Sequence, residues 1–157
     1  MADYNLSNTS KYNDILDDLD TVLQNMVDDD IDNLFTSNSL KRSAMKSQPI
    51  PLDHWPLMVV DEIEDEVYGD GRVAASTAII RCYMFVYYQS QAFETKVNQL
   101  ISLLRQELIS TQSVGKKFRI TRIIRSTDVP DKYSWIKSET IPVWSVFLEI
   151  RVELMGY

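Results

Sequence analysis

The spacing of hydrophobic positions changes along the chain, and each change marks an element. Residues 72 to 89, RVAASTAIIRCYMFVYYQ, hold Ile79, Ile80, Cys82, Tyr83, Met84, Phe85, Val86, Tyr87 and Tyr88. This β-branched and aromatic run suits a pleated, largely buried surface, and it predicts the central strand. After Gln89 the period lengthens to about 3.6. Phe93, Val97, Leu100, Ile101, Leu104 and Leu108 fall on one helical face, with Glu94, Lys96, Asn98 and Arg105 mostly off it. The pattern predicts a helix over 91 to 110 whose apolar face covers a sheet. Six such side chains, at roughly 1.5–3 kcal/mol each, supply on the order of 10 kcal/mol before entropy is subtracted.

The remaining elements follow from the same reading. Ile15, Leu19, Val22, Leu23 and Met26 predict an amphipathic helix from Lys11, with Asn8 or Ser10 as its cap and Asp14, Asp17 and Asp18 near its positive end. A further turn is expected around Ile31, Leu34 and Phe35. Residues 36 to 51, TSNSLKRSAMKSQPIP, read as a flexible, locally basic linker closed by prolines. A strand then begins at Leu57 and runs to Tyr68, with Glu62, Glu64 and Glu66 on one side and Ile63 and Val67 on the other. Gly69, Asp70 and Gly71 supply the turn that makes it antiparallel to the central strand.

Beyond the helix, Gly115 is placed to end it. KFRITRIIRSTD, 117 to 128, predicts a strand with Phe118, Ile120 and Ile124 on one side and Arg119, Thr121 and Ile123 on the other. A loop through Tyr133 and Trp135 leads to the last strand, in which Trp144, Val146, Leu148, Ile150, Val152 and Leu154 face the core. The expected fold is α+β, a mostly antiparallel four-stranded sheet with a helix packed on one face plus an N-terminal helix, in the order α-β-β-α-β-β. The domain division read from the pattern is an acidic N-terminal helical segment (1–36), a linker (37–56) and an α+β core domain (57–157).

Charge refines this picture. The net charge is −7 over 157 residues, but residues 1 to 36 hold nine aspartates against one lysine, while the remainder holds 15 bases against 14 acids. Five of the six residues from Asp61 to Glu66 are acidic: Asp61, Glu62, Glu64, Asp65 and Glu66. That density predicts an arm leaving the core for solvent or a channel. Lys116, Lys117, Arg119, Arg122 and Arg125 carry no acid among them and form the most basic stretch, a candidate interface. No run of 18 apolar residues occurs, and the N-terminus is polar, so a soluble, unexported protein without membrane contact is expected.

Reactive chemistry is poorly represented. Cys82 is the single cysteine and His54 the single histidine, so neither has a partner of its own kind for a disulfide or a metal cluster. Asp28, Asp30 and Asp32 have the spacing of a calcium loop, but Asn33 and Ser39 stand where that loop needs Gly and Glu. No phosphate loop or nucleophile elbow is present, and the expectation is a protein that is not an enzyme and takes no cofactor. RNA binding is the sharpest rival. Arg81, Tyr83, Phe85, Val86 and Tyr88 agree with the core signature of the RRM, but Cys82 and Met84 stand at its small-residue positions. The strand also precedes the helix here, and the acidic balance disfavours nucleic acid. Tyr83, Phe85 and Tyr87 are expected to pack within the sheet or at a subunit contact.

Taken together, the N-terminal helix, the Pro-led strand at 56 to 68, the long aromatic strand, the LISLLRQEL helix and the closing WSVFLEIRVEL strand resemble the tail terminator and tail completion proteins of long-tailed bacteriophages. The resemblance is one of order and texture. It implies a virion structural protein at the tail-neck junction, assembled in the host cytoplasm. Its copies would form a ring, usually a hexamer, that caps the tail tube and halts its polymerisation. Implied partners are other copies of the chain, the tail tube protein and a neck or connector protein, with the sheath as a further candidate; DNA passes through the ring without specific binding. The acidic arm is then a candidate lining of the lumen, and a neck or head-completion protein is the nearest alternative role.

Overall fold

The computed structural model describes residues 11–27, 34–47, 49–51, 54–68, 75–87, 93–110, 112–113, 116–136 and 143–154. Its elements are α1 (Lys11–Gln24), β1 (Leu40–Lys41), β2 (Leu57–Tyr68), β3 (Ala75–Tyr87), α2 (Phe93–Ser110), β4 (Gln112–Ser113), β5 (Lys116–Ser126), a 3-10 helix (Asp131–Ile136) and β6 (Val143–Leu154). The expected caps Asn8 and Ser10, the aspartates at 28, 30 and 32, the Gly69-Asp70-Gly71 turn and Gly115 all lie outside the described residues.

The fold class is α+β, as the hydrophobic pattern predicts. One sheet runs in the order β1-β2-β3-β6-β5-β4. The four expected strands are its long members, and every pairing among them is antiparallel. The expected strand count of four is too low. β1, two residues long, adds to β2 in parallel, and β4, also two residues long, extends the other side. Strands this short leave no periodic signal, which is why the pattern misses them.

One face of the sheet carries Met58, Val60, Ala78, Ile80, Cys82, Met84, Phe118, Ile120, Val146, Leu148, Ile150 and Val152. Both helices cover it in a single cluster, α1 through Ile15, Leu16, Leu19, Val22 and Leu23 and α2 through Val97, Leu100, Ile101, Leu104 and Leu108. α2 lies over the β5 side, where Arg125 donates to the Asn98 side chain. α1 lies over the β2 side, where the Tyr12 hydroxyl donates to Asp65 Oδ2 at 2.6 Å. The apolar stripe of α1 is buried on the sheet of its own chain, in the same cluster as α2.

The opposite face holds a second cluster of Leu57, Val59, Phe85, Val129, Tyr133, Ile136 and Val143. Met45, Ile50, Trp55 and Trp135 pack against it, so the basic linker and the loop after β5 fold back over this end of the sheet. The linker is tied down further where Ser39 accepts the Met58 backbone N–H at 2.8 Å.

Two bulges complete the geometry. The β2 register shifts between Val60 and Glu62, and the β5 register shifts between Ile120 and Arg122. Each inserts one residue, Asp61 or Thr121, and an extra residue reverses the alternation beyond it. On β5 this corrects the sequence expectation. Ile123 turns inward and packs against the core, while Ile124 is 44% exposed on the other face.

Candidate functional site

Beyond the second cluster, the uncovered face of the sheet becomes a lattice of charge. Residues directly opposite each other on neighbouring antiparallel strands share a face. The register therefore defines three rows from β2 to β5: Glu62, Arg81, Glu149, Arg122; then Glu64, Ile79, Arg151, Arg119; then Glu66, Thr77, Glu153, Lys117. Each row begins with a carboxylate at the β2 edge and ends with a cation at the β5 edge. The two bulges place these side chains on one face by resetting both edge strands at the same level.

Arg81 is the centre of the acidic half. Its guanidinium lies 2.7 Å from Glu64, 3.3 Å from Glu149 and 3.8 Å from Glu62. The hydrogen bond with Glu64 is the chief cause of its raised pKa, with the other carboxylates adding to it. Asp61, the bulged residue, turns toward the 3-10 helix instead. It accepts from Lys132 Nζ at 2.6 Å and from the Tyr133 hydroxyl at 2.7 Å. Burial, then the hydrogen bond to Asp61, pushes the Tyr133 phenol well above its ordinary range.

The expected acidic arm is thus paired with β3 along its length and does not project from the core. Glu62, Glu64 and Glu66 lie in the lattice. Asp61 is latched to the 3-10 helix, and Asp65 lies across the sheet under α1. Among the basic residues, Lys117, Arg119 and Arg122 end the three rows, while Arg125 points to the α2 side at Asn98. Lys116 pairs through its backbone with Leu154 and Ser113.

Arg151 of β6 lies within the middle row. It stands opposite Arg119, and its Nε is buried without a hydrogen-bond partner among the described residues. An open groove of about 390 Å³ adjoins the basic half, between Tyr83, Arg122, Ile124, Ser145 and Phe147. Its signal was hidden because the bulge at Thr121 alone exposes Ile124.

Phe85 is fully buried, and Tyr133 sits edge-on to both Tyr83 and Phe85 at 5.7 and 5.4 Å. Cys82 is fully buried on the helix-covered face, and burial pushes its thiol up to about 12. His54 Nδ1 lies 3.1 Å from Lys41 Nζ. Among the described residues no three His, Cys, Asp or Glu side chains gather as a metal site, and no helix is long and apolar enough to cross a membrane.

No family model matches the chain, and no curated protein matches it. Among solved structures, the chain is similar to one from the virion of a native gene transfer agent particle. The two are 12% identical with a TM-score of 0.48, over 76% of this chain and 81% of the other.

Proposed function

We propose that this chain is a virion structural protein, a tail terminator whose copies form a ring on the tail tube, stop its growth and present a surface to the neck. The layout carries this reading. The helix, Pro-led strand, aromatic strand, second helix and closing strand on which the resemblance rests form one core. The sheet is a wedge covered by helices on one face and partly open on the other. A ring needs a heterologous contact, in which two different patches of the same subunit meet, and opposite sheet edges of opposite charge suit that requirement. The role is one of shape, with no reaction assigned.

In this reading the ring is a hexamer seated on the tail tube protein and joined to a neck protein, and DNA traverses it without base-specific contact. Glu62 and Glu64 are engaged with Arg81, which favours a place in the subunit seam over the lining of a lumen. The test is electron microscopy of particles produced without this chain. Tails of uncontrolled length are expected. Normal-length tails that fail to join heads would make it a neck protein instead, and normal particles would remove it from assembly altogether.

A further inference from the structure

The outer sides of β2 and β5 are largely open. β1 pairs with β2 only at Met58 and Val59, and β4 pairs with β5 only at Lys116 and Lys117. Among the described residues, the rest of each strand has no neighbour on its outer side. Open edges of this length are templates for pairing with another chain.

We infer that the acidic β2 edge of one copy pairs with the basic β5 edge of the next, continuing the sheet from subunit to subunit. Three features of the geometry support this partner. First, the four long strands alternate in direction across β2-β3-β6-β5, so β2 and β5 run oppositely. A second copy placed beside the first in the same orientation therefore sets its β2 antiparallel to β5, as everywhere else in the long-stranded sheet.

Second, two of the rows continue without stagger. Arg122 meets Glu62 of the next copy and Arg119 meets its Glu64, each as a directly opposed cross-strand pair on one face, while Gln112 of β4, opposite Lys117, bounds the seam at the third row. Third, the middle of the basic edge has no counter-charge directly opposite it in its own chain. Arg119 faces Arg151, an arrangement that an incoming carboxylate relieves. The contact is heterologous, since the two edges differ, and such a contact propagates until it closes. The inference rests on the structural reading above and names the seam that reading requires.

Sedimentation velocity on the purified chain tests it. The native protein is expected to associate in the micromolar range and to weaken as salt rises. Glu62→Lys/Glu64→Lys and Arg119→Glu/Arg122→Glu each place like charges along the seam, and each is expected to weaken association about tenfold per reversed pair. Mixing the two variants in equal amounts restores it, because every acidic edge again meets a basic one in alternating copies. Both lysines introduced on β2 crowd Arg81, so circular dichroism must show that variant folded. Arg119→Glu alone supplies the check that does not depend on it, since it gives Arg151 a counter-charge within the chain and still weakens association.

A native protein that stays monomeric overturns the seam, and so do Arg119→Glu and Arg119→Glu/Arg122→Glu proteins that associate as the native one does. Association by another surface leaves the terminator reading standing. Unchanged tail length in particles lacking the chain removes that reading and leaves the seam intact.

Discussion

Arg119 of β5 stands directly opposite Arg151 of β6, two guanidinium groups on one face of the sheet. Like charges so placed destabilise a strand pair by a fraction of a kcal/mol. Arg119→Glu is therefore expected to raise the stability of the isolated monomer by roughly 0.2–1 kcal/mol, measured by urea unfolding at low salt. The same change is expected to weaken self-association. A substitution that improves the fold while damaging assembly marks a residue retained for contact and not for packing.

The Tyr133 hydroxyl joins the 3-10 helix to the β2 bulge through Asp61. Its pKa is raised in the folded protein above the ordinary 10.0, by burial first and then by the hydrogen bond to Asp61. The neutral phenol therefore stabilises the fold fully below about pH 10, and that contribution declines as pH rises further. Tyr133→Phe is expected to cost about 1.5–3 kcal/mol at pH 8, the range for a hydrogen bond to a charged group. It should also flatten the loss of stability above pH 10, read from denaturant midpoints across that range.

Leu19 is fully buried in the cluster shared by α1, α2 and the sheet. Leu19→Ala is expected to cost about 2–5 kcal/mol of global stability in one cooperative transition. If α1 were a separate segment, the same change would leave the unfolding midpoint of the sheet unmoved.

Arg81 holds Glu62, Glu64 and Glu149 around one cation. Arg81→Gln leaves three carboxylates facing each other and is expected to lower the melting temperature, with Glu149→Gln recovering part of the loss. Added salt should narrow the difference, since screening weakens the repulsion.

The periodic parts of the chain were legible from the sequence. The run from Leu57 to Tyr68, the central aromatic strand, the 3.6-residue repeat through Leu108 and the alternation from Trp144 to Leu154 each appear as the element expected. What escaped was set by tertiary register. Nothing local marks Asp61 or Thr121 as bulged residues, yet those two insertions decide that Ile123 faces inward, Ile124 outward, and that the charges of both edges share a face. The acidic run was visible as composition, but its partner Arg81 lies across a strand pairing that no spacing rule reports. The basic stretch was recognised as a candidate interface, and only the register shows which of its members end rows begun by an acid.

The seam can be measured directly by disulfide cross-linking of Glu62→Cys/Arg122→Cys. Within one chain these positions end the same row three strand spacings apart, about 14 Å, too far for a disulfide. Between copies they fall on adjacent antiparallel strands, within bonding reach. The native Cys82 does not interfere, being buried with its thiol pushed up to about 12. Mild oxidation is predicted to give a ladder of cross-linked copies ending in one closed species, with Glu62→Cys alone remaining uncross-linked. Oxidised protein that stays monomeric, or a Glu62→Cys variant that cross-links to itself as a dimer, would contradict the head-to-tail arrangement of these two edges.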